Sequence, residues 1–222
     1  MIRSKIPKFI TERFSIYLRV LTQLEEDGVE IISSEELGRL AGGSGALVRK
    51  DLSYFGEFGI RGVGYNVSDL RSKISEILGI NRKWKVIIVG AGHLGSALMG
   101  YKGFRERNFE IVAAFDMDEA KIGTELHGVE IKDVAKLPEF VKSERVELAI
   151  ISVPRESAQA VADLLVRAGI KAILNFAPVK LHLPEYVFLN SVDLSMELES
   201  LTFSLTNLSK GEGWYAPRDE DI

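Results

Sequence analysis

The sequence predicts two domains of different class in one chain: a small helical head followed by a doubly wound α/β domain. Three observations predict this. The β-branched run at residues 85–89 leads straight into Gly90-Ala91-Gly92-His93-Leu94-Gly95, which opens a helical stretch. A second apolar run, Phe109 to Phe115, ends on Asp116, so strand, glycine loop, helix, strand and acid follow in the order of a βαβ nucleotide-binding unit. About 80 residues of short helical periodicity precede that unit, a length that suits a separate small domain.

In the front segment, Ile10, Phe14, Tyr17, Leu18, Leu21 and Leu24 fall on one helical face that ends before Asp27-Gly28. Ser33 with Glu36 forms a capping box for a short second helix, which Gly42-Gly43 breaks. Ser44 caps a third helix through Leu47, Val48, Leu52 and Phe55. Gly56 to Tyr65 alternates glycine with apolar residues and reads as a small hairpin with Arg61 at its tip. Helix, tight turn, helix and an adjoining hairpin make a winged helix-turn-helix. Residues 39–73 are locally basic, so the third helix can face DNA, with Arg49 or Lys50 donating to guanine edges and Arg61 entering a minor groove. The candidate DNA-binding residues are Ser44, Arg49, Lys50, Ser53, Tyr54, Arg61 and Gly62. Ser68 caps a fourth helix that Gly79 stops, and the polar stretch Asn81-Arg82-Lys83 marks the boundary, with the head over residues 1–80.

In the second domain, placed over residues 81–190, Gly90 permits the turn out of the strand. Gly92 lets the backbone approach a pyrophosphate, and Gly95 lets the helix pack on the sheet. The helix N-terminus favours phosphate. Asp116 would bind ribose hydroxyls and repel a 2′-phosphate, which selects NAD(H) over NADP(H). A strand from Val146 to Ser152, a helix ending at Gly169 and a strand from Ile170 to Leu174 continue the fold. Ligands lie beyond the carboxyl ends of such strands, so Val153, Pro154, Asn175, Phe176 and Ala177 join Gly90, Ala91, Gly92, His93, Leu94, Gly95 and Asp116 as cofactor-binding candidates. Asn175 either holds a carboxamide or fixes a loop. Residues 191–208 form a terminal helix with Leu194, Leu198, Leu201, Leu205 and Leu208 in one apolar stripe, and 209–222 read as a flexible tail.

Composition fits this scheme. With 46% hydrophobic and 27% charged residues, the 222-residue chain is that of an ordinary globular protein. No run is long and apolar enough for a membrane span. The absence of cysteine excludes disulfides and is compatible with a reducing cytoplasm, while three scattered histidines give no metal site. The net charge of −4 resides in the back of the chain. Residues 1–80 carry 11 basic and 11 acidic residues, against 17 and 21 in the rest, so any DNA affinity must come from a local patch.

Five segments carry a resemblance: V-R-K-D-L-S-Y-F-G (48–56), R-G-V-G-Y (61–65), V-G-A-G-H-L-G-S-A-L (89–98), S-V-P-R-E-S-A-Q (152–159) and I-L-N-F-A-P-V (173–179). Together, over about residues 5 to 208, the chain resembles the Rex family of redox-sensing transcriptional repressors. The resemblance implies a winged helix-turn-helix, a Rossmann domain and a C-terminal domain-swapped helix that makes a homodimer. It implies binding to palindromic operator DNA, release when NADH replaces NAD⁺, and no catalysis. It also implies a switch in which Asp193 pairs with Arg19 or with Tyr101, whereas on the residues alone Asp193 could simply cap the terminal helix. The rival reading is an NAD-dependent oxidoreductase with an accessory helical domain. His93 and His182 make poor proton donors beside a nicotinamide, and little chain remains for a substrate pocket.

Overall fold

The computed structural model describes residues 8–60 and 62–209. They fall into two compact units that divide between Arg82 and Lys83, two residues past the boundary read from the sequence.

The head begins with α1 (Lys8–Glu26), whose apolar face buries Ile10, Phe14, Tyr17, Leu18 and Leu21. A two-residue strand, β1 (Ile31–Ile32), follows, then α2 (Ser34–Leu40) and α3 (Gly45–Ser53). The Ser33 and Ser44 hydroxyls accept from the amides of Glu36 and Leu47, as their capping positions require. Only half of the expected capping box forms, because the Glu36 carboxylate turns to Arg39 instead of the Ser33 amide. The turn between α2 and α3 is tight, and a Cβ on Gly38 would lie 2.5 Å from the Ser44 carbonyl carbon.

After α3 the chain closes a small loop in which Ile60 and Gly64 bridge antiparallel. Arg61, expected at its tip, lies outside the described residues. The next strand, β2 (Tyr65–Asn66), does not fold back on the loop alone; it pairs with β1. That pairing was not expected, since two isoleucines carry no periodicity. α4 (Val67–Ile77) is capped by Asn66, which accepts from the Asp69 amide, and not by Ser68, whose hydroxyl donates to Asn66. Asn66 wins because it stands in extended backbone one residue before the helix, where its oxygen reaches the third amide. Gly79 ends the segment at positive φ.

The second unit is a parallel sheet with helices on both faces. Its elements are β3 (Trp84–Val89), α5 (His93–Met99), α6 (Lys102–Glu106), β4 (Phe109–Asp116), β5 (Glu125–Leu126), β6 (Val129–Asp133), α7 (Leu137–Glu144), β7 (Leu148–Ile151), α8 (Arg155–Ala168), β8 (Ala172–Asn175), β9 (Phe188–Ser191) and α9 (Leu194–Ser209). Strand order is β5-β6-β4-β3-β7-β8-β9, parallel except for β5. Order reverses at β3, which places the switch point where the glycine loop leaves the sheet.

One face of the sheet packs Leu137 and Val141 of α7 and Ala158, Ala162 and Leu165 of α8 against Ile87, Val89, Phe115 and Ile151. The other face is covered by Met99 of α5 and Phe104 of α6. Beside Phe104 that face opens into an apolar groove of about 340 Å³, floored by Leu148, Leu174 and Phe188. Gly100 closes α5, and Tyr101 stands at the cap position that begins α6. The His127 ring crowds this point, since a Cβ on Gly100 would lie 2.9 Å from it. The leucine stripe of α9 is not packed on its own chain: Leu194, Leu198, Leu201 and Leu205 are 61–67% exposed. Residues beyond Ser209, including most of the expected tail, lie outside the described residues.

Candidate nucleotide cleft and nucleic-acid face

The cleft of the second unit is built from the ends of β3, β4 and β7. Gly90 leaves β3 at φ +101°, a conformation that favours glycine. Its missing Cβ makes room for β7, because a methyl there would lie 2.6 Å from the Ser152 carbonyl oxygen. Ser152 also locks the loop from above, its hydroxyl donating to the Gly90 carbonyl at 2.8 Å and its amide to that of Val89 at 2.9 Å. A Cβ on Gly95 would stand 1.9 Å from the Gly90 oxygen. Gly92 differs: it caps α5 without any side-chain partner for the helix amides, and nothing lies within 4 Å of where its Cβ would point. Two glycines are therefore needed by the protein itself, and the third faces open space. Ala91 is buried, while His93 and Leu94 are exposed at the start of α5.

Asp116 ends β4 beside this loop. Its Oδ2 accepts from the Ala91 amide at 2.8 Å, and its Oδ1 accepts from the amides of Met117 and Asp118. Burial pushes the carboxyl up, but the Asp118 and Ala91 amides and the Lys121 ammonium outweigh it and hold the pKa below the usual value. A carboxylate offers about four lone-pair positions. Three are taken by loop amides, and the remaining contact is with Lys121 Nζ at 3.4 Å.

Val153 is half-buried and Pro154 exposed beyond β7, and Phe176 and Ala177 follow β8. Asn175 is fully buried, and its bonds are those of the loop-fixing alternative. Its Nδ2 donates to Ala177 O, Val179 O and Ser191 Oγ, and its Oδ1 accepts from the Ala177 amide. The side chain is spent on fixing the β8 loop. Tyr101 is exposed and packs edge-on against Phe104. Asp193 caps α9 by accepting from the Ser195 amide at 2.9 Å. Arg19 lies exposed on α1 of the head.

In the head, α3 presents Lys50, Ser53 and Tyr54 to solvent. The hydroxyls of Ser44 and Ser53 are engaged locally, by the Leu47 amide and the Lys50 carbonyl. Arg49 is exposed but not loose: its Nη1 meets Glu35 Oε1 and Ser34 Oγ, each at 2.5 Å. A groove of about 810 Å³ runs between α3 and the glycine-rich loop, lined in part by Glu35, Arg49, Ser53, Gly62 and Tyr65. Sequence reading missed Glu35 because it sits on α2, away from the basic run, and only the packing of α2 on α3 brings it to Arg49. Among the described residues no helix is long and apolar enough to cross a membrane, and no cluster of His, Asp and Glu could hold a metal ion.

Residues 5–53 match the family described as "Putative DNA-binding protein N-terminus", and residues 81–179 match "CoA binding domain". The chain is 47% identical over 209 residues to the redox-sensing transcriptional repressor Rex of Pelotomaculum thermopropionicum, covering 94% of this chain and 98% of that one. It is 52% identical over 201 residues to the Rex protein of Desulfitobacterium hafniense, covering 90% and 96%. Among solved structures it resembles RSP in complex with NAD⁺ and operator DNA, at a TM-score of 0.89 and 36% identity over 96% of this chain and all of that one. RSP in complex with NADH matches at a TM-score of 0.84 and 33% identity, again over 96% of this chain and all of that one.

Proposed function

The chain belongs to the Rex family of redox-sensing transcriptional repressors, and from that premise we propose that its head binds a palindromic operator and lets go when NADH replaces NAD⁺ in its α/β unit. The observation that carries this reading is the contrast within the glycine loop. Gly90 and Gly95 are filled in by the protein, while Gly92 opens on empty space at a helix N-terminus beside a charged Asp116. The loop amides suit a pyrophosphate, and Asp116 suits the adenosine ribose, whose hydroxyl would replace the weak Lys121 contact.

Bound there, the dinucleotide supplies a charge signal, a nicotinamide that is positive when oxidised and neutral when reduced. Tyr101, Asp193 and Arg19 are the residues that read it in this proposal. The Asp193 carboxylate exchanges partners between Arg19 and Tyr101, and operator affinity follows by linkage. The exposed stripe of α9 would be covered by a second copy, giving a homodimer that matches the two-fold symmetry of a palindrome. Arg49, Ser53 and Gly62 line the groove, and Ser44, Lys50, Tyr54 and Arg61 complete the proposed DNA-contacting set. The relatives are named as repressors and not as enzymes. A CoA-type ligand, which one matching family's description suggests, would set its ribose 3′-phosphate near the Asp116 charge.

The test is fluorescence anisotropy on a palindromic duplex that the protein selects from a random pool, titrated with NADH, NAD⁺, NADPH and CoA. Release by NADH at concentrations where the other three do little is expected. Indifference to all four, or release by CoA at lower concentration than NADH, would overturn the reading.

A further inference from the structure

We infer that Glu35 sets the selectivity of the head for its operator over other DNA, by holding one nitrogen of Arg49 and by keeping phosphates away from it. The inference rests on the DNA-binding reading above. Three side chains form a closed triangle: Arg49 Nη1 donates to Glu35 Oε1 and to Ser34 Oγ, and the Ser34 hydroxyl donates to Glu35 Oε2 at 2.9 Å. The backbone fixes their register. A Cβ on Gly45 would lie 2.8 Å from the Glu35 amide nitrogen, and one on Gly38 2.7 Å from Gly45, so α2 cannot slide along α3. The Arg49 guanidinium first, and the Ser34 hydroxyl second, hold the Glu35 carboxyl below the usual range. It is therefore charged at neutral pH.

The placement decides what that charge does. The triangle lines the groove between α3 and the glycine-rich loop, the face the head would turn to DNA. All of these bonds use Nη1, so Nη2 and Nε of Arg49 remain for a two-point contact with a guanine edge. A base edge is neutral and approaches that free side without meeting the carboxylate. A phosphate seeking the same cation meets a fixed negative charge in contact with it, and like charges at such range repel. Glu35 thus weakens backbone binding, which every sequence offers, far more than base reading, which only the operator offers. Glu57 lines the same groove and adds to that repulsion.

The experiment compares full-length wild type with Glu35→Gln, measuring affinity for the selected palindrome and for a scrambled duplex of the same length across a salt series. Glu35→Gln should bind the scrambled duplex about tenfold tighter, with a salt slope steeper by about one unit, the value for one more phosphate contact. Affinity for the palindrome should change much less, so the ratio between the two falls about tenfold. Glu35→Ala, which removes the carboxylate by another route, should lose the ratio equally, and both variants should keep the wild-type melting temperature. Equal changes on both duplexes, or an unchanged salt slope, would overturn the inference. A wild type that binds no palindrome sinks the operator-binding reading instead; a wild type that binds and releases with NADH, beside variants with intact selectivity, sinks only this one.

Discussion

Arg13 grips Asp51 through Nε and Nη2, both at 2.6 Å, tying α1 to the last turn of α3. Tyr17 completes the site by donating its hydroxyl to Asp51 Oδ2 at 2.8 Å, and Asp51 itself is 1% exposed. Removing the carboxylate strands a partly buried guanidinium and a phenol, and breaking such a pair costs about 3 kcal/mol. Asp51→Ala should lower the unfolding free energy of the head, read from denaturant titration, by that amount, and Tyr17→Phe by about 1 kcal/mol. Burial first, then the hydrogen bond to Asp51, pushes the Tyr17 pKa above its ordinary 10.0. The unfolded chain ionises at that ordinary value, so this contribution is whole below pH 10.0 and is lost as pH climbs above it. Urea titrations between pH 9 and 11 should show the decline in wild type and a flatter profile in Tyr17→Phe.

The glycine loop makes a sharper prediction, because its glycines do different work. Gly95→Ala would drive a methyl to 1.9 Å from the Gly90 oxygen, so it should unseat α5 and lower thermal stability. Gly92→Ala meets nothing within 4 Å and should leave the melting temperature of the unliganded protein unchanged, while weakening NADH at least tenfold. Calorimetric titration of both variants checks this. Equal loss of stability in the two would show that Gly92 serves the fold and not the ligand.

Asp116 should carry the choice between NADH and NADPH. Asp116→Ser removes the charge that opposes a 2′-phosphate and should shift relative affinity toward NADPH about tenfold, or about 1.4 kcal/mol. Since its pKa is depressed below 3.8, the carboxylate is ionised throughout the neutral range. Its stabilising effect is present above pH 3.8 and is lost as pH falls through the lower folded value. The NADH preference of wild type should therefore stay flat between pH 6 and 8. A preference that titrated in that window would assign the discrimination to another group.

The parts legible in the sequence are those written in short-range pattern. Gly90 to Gly95 with Asp116 marked the βαβ unit, and the Ser44 cap and Gly169 stop bounded their helices because a cap is a local hydrogen bond or a local φ. What escaped depends on distant packing. Ser68 and Asn66 are both good caps, and only the β1–β2 pairing decides which stands in extended backbone. Asn175 matched a ligand-binding position at a strand end, but its partners Val179 and Ser191 come from the loop and strand that follow. The His127 ring that lies against Gly100 comes from 27 residues on, and no local pattern places it there. Glu35 and Arg49 lie on different helices, and no spacing rule joins them.

The redox signal should pass through Tyr101 and Asp193. Tyr101 is 58% exposed and leans on Phe104, so removing its hydroxyl leaves the ring packing intact. Tyr101→Phe should hold operator affinity without ligand and reduce the NADH effect. A full 100-fold effect corresponds to about 2.8 kcal/mol of coupling, and losing half of that energy leaves about tenfold. Asp193→Asn keeps an oxygen for the Ser195 amide and so separates capping from charge. If both variants release DNA with the wild-type NADH dose, the pair is a local feature of the helix start.

The terminal helix sets the last prediction. Leu198, Leu201 and Leu205 are each more than 60% exposed in the single chain, and Met196 and Phe203 are as open beside them. A stripe of this kind makes a large contiguous apolar patch, which a chain in water covers with something. Each leucine that passes from water into a packed interface contributes about 1.5–3 kcal/mol, so three together can hold two copies at micromolar concentration. Leu201→Glu with Leu205→Glu places two charges in that seam, and sedimentation equilibrium should then read a monomer where wild type reads a dimer. NADH binding should persist more nearly than DNA binding, because the glycine loop and Asp116 belong to one chain whereas a palindrome needs two heads. A double variant that remains dimeric would mean that another surface joins the subunits, and the apolar sheet face beside Phe104 and Phe188 is then the one to mutate.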